Sequence, residues 1–346
     1  MSRILGVLGM LGVLYALLVA SNPAAGEWGN LADVANIQGR YGVLTLGAAL
    51  VIIVGGIDLS LGSVVGCTAV LFGVLMTNNA TAFGVSLRTH PYLAAVLVLV
   101  AGGLIGLVNG LLVTRVQLQP FLVTLCGMFI YRGVSRMLGG TLSMRATYED
   151  TPAYEGPLKT MRYVLVGKGA DGGLEFPAQF VLLLLLAGVV GFFLHRTAHG
   201  RYWHAIGHNE LAAKYAGVNV TRQRLVVYVA CSALAALGGV LLFLDSPSVQ
   251  SDNAGANLEL YAILGAVLGG CSLRGGEGTA VGMVLGAMVL PVLESVVGMR
   301  GMRSDVIPAV IGLTLLTGTL FDELTRRGQH VVAWLIVVRA IRVVTG

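Results

Sequence analysis

The chain has 346 residues, 56% of them hydrophobic and only 11% charged, with a mean hydropathy of +0.83, whereas a soluble globular chain carries about 25% charged residues. The formal net charge of +5 does not mark a nucleic-acid partner, because the basic residues sit mostly at the ends of apolar runs, where they set orientation in a bilayer. An ordinary soluble domain is excluded, and an all-α polytopic membrane protein is expected.

Apolar runs fall at roughly 4–20, 40–55, 58–76, 92–114, 119–138, 179–195, 223–244, 259–271, 277–297 and 305–321, most of them close to the length that crosses a hydrocarbon core of about 30 Å. The first run, 17 residues long, exceeds the roughly 7–15 of a signal-peptide core and reads as an uncleaved first span. Almost no loop separates the second span from the third, only Gly55-Gly56-Ile57-Asp58-Leu59-Ser60. Asp58 is the one carboxylate deep in an apolar run. It either caps the helix that resumes there or lines a pathway. Asn109 in the fourth span either bonds to a neighbouring helix or faces a polar solute.

Residues 139–178 are rich in Gly and Pro, with four basic residues against five acids, whereas 196–224 carries five basic residues (Arg196, Arg201, Lys214, Arg222 and Arg224) against Glu210 alone. The loop 245–259 has three acids and no Lys or Arg. The positive-inside bias therefore puts 196–224 and both termini in the cytoplasm, and 139–178 and 245–258 outside. Within 196–224 a helix of about two turns is expected over Glu210 to Ala216. Asn209 is its N-cap, Glu210 and Lys214 an i,i+4 pair, and Gly217 its C-cap. Ala212, Ala213 and Ala216 would give it a low-relief exposed face. Gly200 and Gly207 interrupt the stretch holding His195, His199, His204 and His208, so these read as solvated residues rather than a metal site.

The eighth span is short and ends in Gly269-Gly270-Cys271-Ser272-Leu273-Arg274-Gly275-Gly276. Aligning Gly55-Gly56 with Gly269-Gly270 suggests an internal repeat, and two Gly-interrupted segments point to a pathway near the midplane. The ladders Gly62/Gly66, Gly102/Gly106/Gly110 and Gly278/Gly282/Gly286 need no role beyond close helix contact. Glu294 and the Arg300, Arg303 and Asp305 group stand at the outer rim. Cys67, Cys126, Cys231 and Cys271 lie in or beside apolar runs without CxxC spacing, so no metal or redox site is expected. Residues 1–328 form one transmembrane domain. The basic apolar tail 329–346 is too short to span, and it either lies on the inner interface or is disordered.

The run Gly200, Arg201, Ala205, Ile206, Gly207, Asn209, Ala212, Ala213, Gly217, Val218 resembles the ATPase-coupling loop of the ribose/xylose/galactose-type ABC importer permeases. Gly55-Gly56-Ile57-Asp58-Leu59-Ser60 with Gly62-Ser63, and Leu268 to Gly278, resemble two further motifs of that family. They occur in the family's order and cover nearly the whole chain. The resemblance implies a type II-like permease of about ten transmembrane helices in a bacterial inner membrane. It also implies a second permease subunit, a cytoplasmic ABC ATPase subunit that binds ATP-Mg, and a periplasmic sugar-binding protein. Coupling would fall to Gly200, Arg201, Ala205, Gly207, Asn209, Glu210, Ala212, Ala213 and Gly217. The substrate pathway would include Gly55, Gly56, Asp58, Ser60, Asn109, Gly269 and Gly270. Gly127-Met128-Phe129 and Arg132-Gly133-Val134-Ser135 look most like permeases of galactofuranose.

The chain has no G-x-x-x-x-G-K-[ST], H-E-x-x-H or G-x-S-x-G, which argues against an enzyme and leaves any ATP hydrolysis to another chain. No cofactor bound by this chain is expected. The alternative is a secondary transporter driven by an ion gradient, for which Asp58 is the only deep carboxylate.

Overall fold

The computed structural model describes residues 2–21, 23–76, 88–139, 141–142, 152–169, 173–246 and 248–299, with residues 309, 312, 313 and 316 besides. Helices α1 (Ser2–Ser21), α2 (Trp28–Ile53), α3 (Leu61–Met76), α4 (Pro91–Thr114) and α5 (Pro120–Leu138) come first. They are followed by α6 (Glu155–Val166), α7 (Ala178–Arg196), α8 (Ala198–His208), α9 (Glu210–Tyr215), α10 (Val220–Asp245), α11 (Leu258–Leu268) and α12 (Ala280–Met299). The strands β1 (Thr141–Leu142) and β2 (Val249–Gln250) pair antiparallel, Thr141 with Gln250 and Leu142 with Val249.

Helices α2, α4, α5, α7 and α10 are long and apolar enough to cross a membrane, while Gly6–Ala20 of α1, α3, α11 and part of α12 are shorter apolar helices. The first nine expected spans fall on these elements. The tenth, 305–321, lies almost wholly outside the described residues, as does the tail 329–346.

Two boundaries differ from expectation. Helix α2 begins at Trp28 rather than near residue 40, because its polar first half has partners inside the protein. Asn36 donates to the Val166 carbonyl (3.0 Å) and accepts from the Gln179 amide (2.9 Å). Arg40 pairs with Asp245 (2.5 Å). Residues 139–178 also hold more than a loop, since α6 buries Leu158 and Met161. Asp245 binds Lys168 (2.5 Å) and Arg40 together, and so ties the segment after α6 to α2 and α10 at one end of the bundle.

Small residues set the packing, as close backbone approach requires where lipid removes the hydrophobic drive between helices. A Cβ on Gly106 of α4 would overlap the Tyr228 carbonyl of α10, and one on Gly102 would overlap Ala236. Gly282 and Gly286 of α12 lie in the same way against Gly269 and Gly265. Gly106→Leu is therefore expected to destabilise the bundle by about 3 kcal/mol, near the upper end for overpacking. Gly103→Leu is the control, since a Cβ there meets nothing nearer than 4.0 Å. Thermal unfolding in detergent should separate the two variants, and equal midpoints would refute the packing argument.

Candidate functional site

The polar insert between α7 and α10 forms a helical hairpin, α8 followed by α9. Its second arm follows the sequence closely. The Asn209 side chain accepts from the Ala212 amide at 3.0 Å, and helix α9 spans Glu210–Tyr215. Gly217 closes it at φ +84°, its amide bonding the Lys214 carbonyl (3.1 Å) while the Val218 amide bonds that of Ala213 (3.0 Å). Three details correct the expectation. Glu210 pairs with Arg224 at 2.8 Å instead of with Lys214. Ala213 is buried, so the exposed face carries Ala212 and Ala216 without it. The same face holds Leu211 (66% exposed) and Tyr215 (90% exposed), which had not been singled out.

The first arm is a continuous helix that Gly200 and Gly207 do not interrupt. These glycines are needed for close approach. A Cβ on Gly200 would overlap the Leu194 carbonyl at the α7–α8 bend, and one on Gly207 would overlap the Ile53 carbonyl oxygen and the Gly276 amide nitrogen. Two of the histidines take structural partners: His204 Nδ1 donates to the Gly276 carbonyl (2.8 Å), and His199 Nδ1 lies 3.0 Å from Gln223 Oε1. Among the described residues no group of three metal-capable side chains gathers. Arg201 and Ala205 are exposed on the same arm.

The hairpin thus rests on both glycine-rich breaks. Helix α2 ends with the Gly55 amide bonding Ile52 O (2.9 Å) and the Gly56 amide bonding Val51 O (2.9 Å). Helix α11 ends identically, with Gly270 bonding Val267 O (2.9 Å) and Cys271 bonding Ala266 O (2.9 Å). Both are Schellman caps whose C′ glycine takes a positive φ, +80° at Gly55 and +90° at Gly270. The two breaks therefore share one cap geometry, in which Gly55 corresponds to Gly270 rather than to Gly269, and α9 ends in the same geometry at Gly217. Gly269 instead packs against the Gly282 carbonyl. The Gly276 amide donates to the Ile53 carbonyl at 2.9 Å and so joins the two breaks directly.

Beyond the α2 cap the chain turns back into the bundle through Asp58. Asp58 Oδ1 accepts from the Ser60 amide (2.8 Å) and hydroxyl (2.6 Å), and Cys231 Sγ lies 3.7 Å from Oδ2. Asn109 Nδ2 donates to Ser60 Oγ (3.2 Å), and Tyr131 OH donates to Asn109 Oδ1 (2.9 Å). Asp58, Ser60 and Asn109 are buried. The structure therefore brings Asp58, Ser60 and Asn109 into one network with Gly56 beside it. Gly55 lies at the hairpin junction beside Gly275, whereas Gly269 packs on Gly282 of α12. Tyr131, Arg132 and Glu259 belong to the neighbourhood but had not been proposed as site residues. The one legible signal was an arginine next to a tyrosine inside the fifth apolar run.

Backbone broken inside an apolar bundle is tolerated only where protein or a water-filled cavity satisfies its polar groups, and helices broken in this way are characteristic of membrane transporters. The class so defined is a multi-pass membrane transport permease. The family model described as branched-chain amino acid transport system / permease component matches residues 30–318, and the chain belongs to that family. It is 34% identical over 327 residues to the probable ABC transporter permease protein y4mJ of Sinorhizobium fredii, covering 94% of this chain and 91% of that protein. It is 31% identical over 315 residues to the ribose import permease RbsC of Bacillus subtilis, covering 90% and 91%. With the autoinducer 2 import system permease LsrC of an Enterobacter strain it shares 32% over 331 residues, covering 94% and 88%. No solved structure matches at a significant level.

Proposed function

We propose that this chain is the membrane-spanning subunit of an ATP-driven importer that moves a monosaccharide, a pentose or hexose with galactofuranose among the candidates. The relatives named for ribose and autoinducer 2 support the substrate class. Residues 1–328 act as one transmembrane domain with 329–346 as a tail. Both termini and the α8–α9 hairpin face the cytoplasm of a bacterial inner membrane, and 139–178 faces outward. A separate ABC ATPase subunit holds ATP-Mg and grips α9, a second permease subunit completes the pore, and a periplasmic binding protein delivers the sugar. The pathway includes the Asp58–Ser60–Asn109 network.

The observation that carries this reading is the contact of one polar hairpin with both broken segments, through Gly207 with Ile53 and Gly276, and His204 with Gly276. Movement of α9 is carried by α8, whose Gly207 and His204 touch Ile53 at the end of α2 and Gly276 in the segment between α11 and α12. A cysteine placed at Tyr215 tests it, with the exposed Cys126 replaced by serine. Crosslinking in native membranes is expected to capture an ABC ATPase subunit, identified by mass spectrometry. Full labelling with no ATPase captured would overturn the reading.

A further inference from the structure

Two discontinuous helices start side by side in the interior. Helix α3 begins at Leu61, just after Ser60, and α11 begins at Leu258, after a turn with positive φ at Gly255 (+72°) and Asn257 (+65°). They touch through Gly62, where a Cβ would overlap Glu259 Oε2 and stand 2.6 Å from the Gly255 carbonyl oxygen. Each N-terminus leaves amides without intrahelical partners and a positive dipole end. A carboxylate accompanies each of them, Asp58 beside α3 and Glu259 in the first turn of α11.

Glu259 is the second and independent observation. Its side chain is 6% exposed, Oε1 meets Arg132 Nη2 at 3.3 Å, and Oε2 has no hydrogen-bond partner among the described residues. A buried, half-satisfied carboxylate is unfavourable unless something completes it. Arg132 supplies the other half. It is the thirteenth residue of α5, about 18 Å along the helix by its rise per residue, and its side chain is one-third exposed. Its exposed neighbours Phe129, Ile130 and Met137 show that this stretch of α5 is otherwise apolar. An arginine facing lipid there would cost about 2.5–3.5 kcal/mol, which favours polar surroundings for its open side.

We propose that Arg132 and Glu259, with Tyr131, Asn109 and Ser60 beside them, form a station that binds the hydroxyl groups of the passing solute. The chemistry fits a neutral polyol. The guanidinium fork donates to two neighbouring hydroxyl oxygens, and Glu259 Oε2 accepts a hydroxyl proton in a hydrogen bond. The Tyr131–Asn109–Ser60 chain offers further groups of both kinds. The pair is neutral as a unit, so an uncharged sugar meets no electrostatic barrier. This inference rests on the sugar-importer reading above and adds the residues that contact the sugar midway.

The test uses the complete importer, purified from native membranes through a tag on this chain and reconstituted in proteoliposomes with its binding protein. Tritiated D-ribose, D-xylose and D-galactose are the probes, and sugar moved per ATP hydrolysed is the readout. Glu259→Gln and Arg132→Gln are expected to lower that ratio at least tenfold. Arg132→Lys keeps the ion pair without the planar fork, so a purely structural pair would leave its ratio unchanged, whereas a hydroxyl-binding fork loses several-fold. The lysine variant also decides the matter if a glutamine variant fails to assemble. Unchanged ratios in variants that assemble would overturn the station. If the wild-type importer moved none of the three sugars, the sugar reading itself would fail, a result distinct from failure of the station.

Discussion

Replacing Gly207 by valine is expected to lower sugar uptake roughly a hundredfold while leaving ATPase capture at α9 intact. Valine would overlap two backbone atoms, the Ile53 carbonyl oxygen and the Gly276 amide nitrogen. Neither is the end of a flexible side chain, and the two are joined by a 2.9 Å hydrogen bond. Overpacking against rigid neighbours costs about 1–3 kcal/mol, and here the α8 helix, the α2 end and the α11–α12 segment must separate to relieve it. The exposed face of α9 is not part of that contact, since Leu211, Tyr215 and Ala216 point away from the protein. ATP-driven uptake should therefore fall by a hundredfold or so, the upper end of that range converted to a rate, with crosslinking from position 215 persisting. Gly188→Val is the control, because a Cβ there meets nothing within 4 Å. Uptake at the wild-type rate in Gly207→Val would show that the junction carries no force.

That junction brings together three glycine-rich segments that lie far apart in sequence. Gly55, Gly207 and Gly275 converge on one point, where a Cβ on Gly275 would stand 3.0 Å from the Cα atoms of both Gly207 and Gly55. Each belongs to one of the three segments likened to sugar-importer permeases. Their compositional bias follows from packing backbone on backbone. The polar network begins within a few residues of the same point, at Asp58, so the geometry that excludes side chains also positions the Asp58–Ser60–Asn109 network.

Much of this was legible beforehand for physical reasons. Apolar runs mark spans because a bilayer leaves no other home for them, and nine runs landed on helices. The α9 cap was readable because Asn209 and Gly217 act locally, on backbone groups within three or four residues. What stayed hidden depends on partners remote in sequence. Glu210 prefers Arg224 because α10 brings that residue alongside, which no i,i+4 rule anticipates. Helix α2 extends through Asn36 and Arg40 only because Val166, Gln179 and Asp245 satisfy them across the bundle. Gly200 and Gly207 looked like helix breakers, yet tertiary contact outweighs a propensity cost of about 1 kcal/mol each. Arg132 and Glu259 were separate charges in the sequence, and only the fold makes them a pair.

The other large effect is expected at Tyr215. A tyrosine 90% exposed on a two-turn helix makes little contribution to the fold, so Tyr215→Ala should change stability by no more than about 0.5 kcal/mol. Its position is that of an anchor, because tyrosine is enriched among the few residues that dominate binding, and each of those costs about 2 kcal/mol or more on truncation. Leu211, one turn earlier on the same exposed face, widens the apolar patch. Ala212 and Ala216 keep it low enough to enter a groove. Tyr215→Ala should then weaken ATPase binding roughly thirty-fold, and Leu211→Ala by a smaller factor. Titrating the purified ATPase onto the chain held in nanodiscs measures both. Lys214→Ala, which changes charge but leaves the apolar patch intact, should shift mainly the salt dependence. If Tyr215→Ala bound the ATPase within twofold of the wild type, α9 would not be the gripping element, and the force path from α9 through Gly207 to the two breaks would lose its starting point.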